Sequence, residues 1–330
     1  MTGIFKQKSP ANIIILLVTG ILVKLPMFQH PHVPVFKPGD GILFKWILDV
    51  LGPTGHQNPV FYPILAFSLL FVQAIVLTIF LNRFRMMTHS TWFPGMAYIL
   101  ITSLLPEWNY FSAPLLVNTI LLIILAALFR TYNQPKAQGL IFNIGLGLGL
   151  SSFLFFPSIT FLVWILVSLA IMRPFNLREW LLCLLGISTP FYFYAAYLLL
   201  NDQWSWNSLW PYLSLTLPMV KQTAWLAGSA FLLVVPFLTG GYYVQESLRR
   251  MLIQVRKGWS LILLYLLCAL FIPFINNSDN LENWVMVAIP LAAFHACTYL
   301  YSSYRIFPLL LFWLTLGFIL GFQYYGHGWG

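Results

Sequence analysis

The chain predicts an all-α, polytopic membrane protein of about eleven transmembrane helices, with a cytoplasmic N-terminus and an external C-terminus. Three observations carry that fold class. Sixty per cent of the 330 residues are apolar, 8% are charged, and the mean hydropathy is +0.82. A soluble domain is about half apolar and about a quarter charged. The apolar residues also come in runs near the roughly 20 residues needed to cross a hydrocarbon core. Finally, the short polar connectors between those runs alternate in the sign of their charge.

The predicted spans are 11–28, 60–81, 92–105, 112–129, 139–156, 158–172, 179–200, 222–244, 259–275, 283–301 and 306–324. One set of connectors collects Lys6, Lys8, Arg83, Arg85, Arg130, Lys136, Arg173, Arg178, Arg249, Arg250, Arg256, Lys257 and Arg305. The other set holds only Lys24, Lys37, Lys45 and Lys221, together with Asp40, Asp49, Glu107, Asp202, Asp279 and Glu282. Cytoplasmic loops retain Lys and Arg during insertion, so the basic set is inside and the acidic set outside. The whole of 1–330 reads as a single integral membrane domain, multi-pass in the cell inner membrane.

Each element has its own justification. Lys6 and Lys8 before Ile13–Val23 have the look of a signal peptide, but no small-x-small cleavage site follows, and an uncleaved first span is expected. Residues 29–59 form the longest external connector. Within it 42–51 places Gly41, Lys45, Asp49 and Gly52 on one helical face with apolar residues elsewhere, the pattern of a helix lying in the outer interface. The spans 92–105 and 158–172 are short, yet the charge alternation requires both. Pro94, Pro114, Pro157 and Pro308 stand near span starts, where a missing donor costs little. Pro236 and Pro290 lie deeper and should kink their helices unless neighbours repair the backbone. Asn176-Leu-Arg-Glu179 has the form of a capping box. The connector 201–221 carries Trp204, Trp206, Trp210 and Tyr212 with Pro211 and Pro218, a density of aromatics suited to the headgroup level.

Several function classes fall away. The net charge of +9 is spread one or two residues per connector, so no nucleic-acid partner is expected. Cys183, Cys268 and Cys297 lie in apolar runs without CxxC spacing, which indicates neither disulfides nor zinc. His30, His32 and His56 share a loop with Asp40 and Asp49, but their spacing matches no recurrent ligand pattern. No metal or other cofactor is therefore assigned, and a divalent cation has no support from ligand spacing. Gly145, Gly147 and Gly149 lie in an apolar span, where a GxxxG spacing serves close helix approach. Gln73, Asn118, Asn143 and His295 are the deepest polar residues and are expected to bond between helices. No charged residue sits near the middle of a span, which argues against an ion-driven carrier.

The candidate site is external. Asp40, ahead of the interfacial helix, has two readings: an N-cap of that helix, or a carboxylate serving as general base or cation holder at the lipid boundary. Glu107, in Leu105-Pro-Glu-Trp-Asn109, is its candidate partner if the fold brings the two together. Lys37 and Lys45 are candidate phosphate contacts, and Trp204 and Trp206 a candidate binding surface. Asp202, Asp279 and Glu282 read as solvated connector residues.

The placement of Asp40 in a first external loop with an interfacial helix resembles the layout of polytopic glycosyltransferases of the GT-C class, which use lipid-phosphate-linked sugars. The likeness covers residues 1–60 in loop placement and the whole chain in span number. The chain departs from that class in having no Asp-Glu or Asp-Asp pair and no large soluble C-terminal domain. The segment Arg173-Pro-Phe-Asn-Leu-Arg-Glu-Trp180, with Gly186 and Pro190, resembles an uncharacterised family of polytopic inner-membrane proteins of the Bacteroidota, which brings no activity with it. The GT-C resemblance implies group transfer from a lipid-linked donor at the periplasmic face. Two alternatives stand beside it: a non-enzymatic membrane subunit or assembly factor of an envelope complex, with a membrane-protein partner, and a lipid or small-molecule transporter not driven by midplane ion coupling.

Overall fold

The computed structural model describes residues 2–6, 9, 11–206, 214–215, 223–275, 281–302, 304 and 306–325. Lys8, Trp210, Pro211, Tyr212, Pro218, Lys221, Asp279, Arg305 and the C-terminal residue, on which parts of the sequence reading rest, lie outside the described residues. Among the described residues the chain is helical without a β-strand. In order the helices are α1 (Thr2–Phe5), α2 (Ala11–Val23), α3 (Leu25–Gln29), α4 (Ile42–Gln57), α5 (Phe61–Arg83), α6 (Phe93–Thr102) and α7 (Ala113–Arg130). They continue as α8 (Gln138–Leu154), α9 (Phe161–Met172), α10 (Leu177–Leu200), α11 (Ala224–Ser247), α12 (Ile253–Phe271), α13 (Ala288–Tyr301) and α14 (Ile306–Tyr325).

Seven of these are long and apolar enough to cross a membrane: α5, α7, α10, α11, α12, α13 with the turn before it, and α14. Four shorter apolar helices, Ala11–Val23, Phe93–Thr102, Gln138–Leu154 and Phe156–Met172, fall on the other predicted spans. The shortest of them is α6. Its ten residues rise only about 15 Å, but all of them are buried, between α5 and α13. Its neighbours thus enclose α6 along its whole length.

The connectors sort to two ends. Trp92 N bonds to Phe5 O, Thr88 N to the Tyr301 hydroxyl, and Gln254 Nε2 to Phe129 O, all joining connectors of the basic set. At the opposite end, the 37–41 loop bonds to the α8–α9 break, and Trp108 Nε1 bonds to Leu281 O.

Packing follows small residues. A Cβ on Gly145 would lie 2.1 Å from Cys183 O, and one on Gly186 would lie 2.3 Å from Phe142 O, so α8 and α10 touch backbone to backbone. In the core Gln73 donates to Leu115 O and Thr119, the Tyr98 hydroxyl donates to Gln73, Asn118 donates to Tyr98, and the Tyr265 hydroxyl donates to Asn118. This network ties α5, α6, α7 and α12 together; interhelical bonds of this kind contribute about 0.6 kcal/mol each on average. Asn143 does not join it and is exposed. The Pro236 break in α11 is repaired from α13, with His295 Nε2 2.9 Å from Leu233 O and Thr298 donating to Pro236 O. Pro290 makes no interior kink, because α13 begins at Ala288 and Pro290 stands in its first turn.

Two local expectations are refined. Asn176 caps α10 by accepting from Arg178 N at 3.1 Å, but Glu179 does not complete the box. It turns instead to the Arg173 guanidinium, bonding Nε at 2.8 Å and Nη2 at 2.7 Å, a stronger charge-assisted partner than a backbone amide. The helix expected at 42–51 forms and runs on to Gln57, with Lys45 and Asp49 both exposed.

Candidate functional site

The external site is built on a pinned turn. Asp40 N donates to Lys37 O at 3.0 Å, and Lys37 N donates to Asp40 Oδ2 at 2.8 Å. Gly39 closes the turn at φ 99°, in the left-handed region open to glycine. The turn is fastened to the α8–α9 break by Gly41 N to Leu154 O and Phe156 N to Gly39 O, each 2.8 Å. A Cβ on Gly41 would come within 2.0 Å of Phe153 O, so only glycine admits this approach. The N-cap reading of Asp40 is corrected here. Gly41 holds the cap position of α4 without a side-chain bond, and the Asp40 carboxylate faces back into its own turn.

Three loops converge on that carboxylate. Glu282, from the turn Leu281–Val287, is 4% exposed and pairs with Lys37 Nζ at 2.6 Å. The turn Pro106–Asn109 carries Glu107 within electrostatic reach of Glu282 and Lys37, and is stitched to the Glu282 turn by Trp108 Nε1 on Leu281 O at 2.9 Å. His32 stacks on Tyr110, with centroids 4.1 Å apart and planes 8° from parallel. His32, Lys37, Asp40, Ser112 and Glu282 face a common pocket of only about 10 Å³, room for about one water.

Burial sets the electrostatics. It pushes the Asp40 carboxyl up to about 7; the bond from Lys37 N opposes this, the Glu282 charge adds to it, and the Lys37 charge opposes it. Glu107 is raised by the same burial, with Glu282 adding to it, and its Oε2 is buried without a hydrogen bond. Burial lowers His32, and its Nδ1 is likewise buried and unbonded. Burial and the two glutamates carry Tyr110 up to about 12. A carboxyl that titrates near neutrality can take or give a proton at working pH.

Behind this cluster lies Lys24, fully buried at the end of α2. Its Nζ donates to Thr102 Oγ1 at 3.0 Å and to Asn109 Oδ1, and it makes no ion pair among the described residues.

Of the residues singled out from sequence, Asp40 and Lys37 line one pocket, and Glu107 feels the same two charges, Glu282 and Lys37. Lys45 and the exposed pair Trp204 and Trp206, 5.5 Å apart at their ring centroids, do not line it. Lys37 is already engaged by an acid rather than held open for a phosphate. Glu282 is the residue that sequence reasoning missed. Reading it as a solvated connector residue is overturned by its burial against Lys37. The available signal was its position at the head of an apolar run, Glu282-Asn-Trp-Val-Met, where solvent is scarce. Among the described residues no three His, Cys, Asp or Glu side chains are arranged to hold a metal ion.

No curated protein and no solved structure matches the chain. A family model described as a family of unknown function, DUF6427, matches residues 54–327, a range that takes in Glu107 and Glu282 and begins after Lys37 and Asp40. With most of its length matched, the chain belongs to the DUF6427 family of unknown function.

Proposed function

We propose that this is a multi-pass inner-membrane protein that transfers a sugar or related group from a lipid-linked donor at the external leaflet, with Asp40 as general base. The observation carrying this reading is the pocket where Asp40 and Glu282, from distant loops, meet one lysine and one histidine, with Glu107 of a third loop within reach of the Glu282 and Lys37 charges. The chain has only eight acidic residues, and perturbed titrating groups gathered in this way mark functional sites. Glu107 would assist Asp40, and Lys37 would reach a donor phosphate once its pair with Glu282 opens; Lys45 offers a further contact on α4. The sorting of connectors to two ends supports an eleven-crossing topology, with the four shorter helices crossing under the cover of their neighbours.

A specific observation favours a second reading. A pocket of about 10 Å³ cannot hold a sugar as it stands, which suits a non-enzymatic subunit or assembly factor docking through Trp204 and Trp206. Reconstitution in liposomes with a polyprenyl-phosphate sugar separates the two. Transfer by the wild type, abolished in a well-inserted Asp40→Asn protein, supports the enzyme. Full transfer by that variant removes Asp40 as base. No turnover of any lipid-linked sugar, with a stoichiometric membrane partner lost in Trp206→Ala, establishes the subunit.

A further inference from the structure

The far end of α7 carries charge that the acidic cluster does not use. α7 begins at Ala113 beside that cluster and ends at Arg130, about 27 Å away by helical rise. Beyond it, Tyr132 and Asn133 of the α7–α8 connector, Arg173 and Pro174 of the α9–α10 connector, and Lys257 of α12 line a groove of about 310 Å³.

The groove is rigid on one wall and cationic on the other. Arg173 is fixed by four bonds: two to Glu179, one to Thr131 O at 2.7 Å and one to Gln134 O at 2.6 Å. Its charge is matched by Glu179. Lys257 has no such match. Its Nζ lies 5.4 Å from the centroid of the Tyr132 ring, and it forms no ion pair among the described residues. A cation–π contact positions an ammonium without neutralising it. Asn133 takes a left-handed turn at φ 51° on the rim, and exposed Arg130, Lys136 and Arg256 flank the lining residues in sequence. A held ammonium on a polar wall within a basic surround fits one chemistry: a phosphate group.

We propose that this groove binds a phosphate group, with Lys257 as its direct contact and Tyr132 as the ring that positions Lys257. The phosphate would come from an anionic phospholipid headgroup or from free phosphate, and the proposal does not rest on the transferase reading.

The test uses the full chain in nanodiscs of phosphatidylcholine alone, of phosphatidylcholine with phosphatidylglycerol, and of phosphatidylcholine with added inorganic phosphate. Thermal stability and phospholipid retained in native mass spectra are read for the wild type, Lys257→Gln, Lys257→Arg and Lys136→Gln. The expected result is that phosphatidylglycerol raises the melting temperature and stays bound to the wild type and to Lys257→Arg. Apparent affinity should fall at least tenfold in Lys257→Gln and change less than threefold in Lys136→Gln. The same pattern with inorganic phosphate and none with phosphatidylglycerol assigns the groove to free phosphate. Equal binding by wild type and Lys257→Gln in both arms overturns the proposal. So does an equal loss in Lys136→Gln, which would mark diffuse surface attraction. If Lys257→Gln is not recovered folded, Tyr132→Leu is read in its place against the same two criteria.

Discussion

The two ends of the bundle are built alike and charged differently. Among the described residues each has one largely buried ion pair: Lys37 with Glu282 joins two connectors at one end, and Arg173 with Glu179 braces one connector at the other, which Arg173 ties to the next through Thr131 O and Gln134 O. What differs is the remainder. Beyond its pair the first end keeps Asp40 and Glu107, both pushed up by burial, whereas the second keeps Lys257, Arg130, Lys136 and Arg256. The pairs hold structure, and the surplus charge is what each end can offer to a ligand.

The largest expected effect comes from breaking the more enclosed pair. Glu179→Gln strands the Arg173 guanidinium among carbonyls and should cost about 3 kcal/mol, read as a lower melting temperature in detergent. Glu282→Gln should cost less, on the order of 1–2 kcal/mol, because Lys37 keeps more contact with water than Arg173 does. It should also lower the Asp40 midpoint, since a repelling charge is removed and Lys37 is released. An isotope-edited infrared titration of the carboxyl band would show this, and an unmoved or raised midpoint would separate the two acids electrostatically.

Asp40→Asn comes next, through pH. Asp40 titrates near 7 when folded and near 3.8 as a free side chain, so the folded state prefers the neutral acid. Its stabilising contribution is complete below about 3.8 and is lost as pH rises through 7. The wild type should therefore lose more of its melting temperature than Asp40→Asn between pH 5 and pH 8, with the variant the more stable by a few degrees at pH 8. Parallel curves would show that the carboxylate is better solvated than its surroundings indicate. The smallest effect tests the framework itself. Cysteines at Gln134 and Gln203 should be labelled from opposite sides of the membrane, with no change in stability; labelling of both from one side would collapse the two-ended description.

Much of this was legible in the sequence, for physical reasons. Charge sign per connector is a local property, and it reported which loops would meet. The helix at α4 and the asparagine cap of α10 are likewise set by nearby residues, and the glycine spacing of α8 marks a face that another helix can approach closely. What sequence could not give depends on distant partners. Glu282 becomes a site residue only because Lys37, far back in the chain, lies against it. Asp40 fails to cap because the glycine beside it is drawn onto the α8–α9 break, which turns the carboxylate into its own loop. Glu179 forsakes its box because the Arg173 guanidinium donates two charge-assisted bonds to its carboxylate.

The fully wrapped α6 has a consequence for how the protein is made. Its ten residues pack on α5, which is synthesised just before, and on α13, which is synthesised almost last. At ordinary elongation rates the gap is on the order of ten seconds or more. Through that interval half the environment that suits so short a segment does not yet exist. A chain truncated before α13 therefore leaves the α13 side of α6 uncovered.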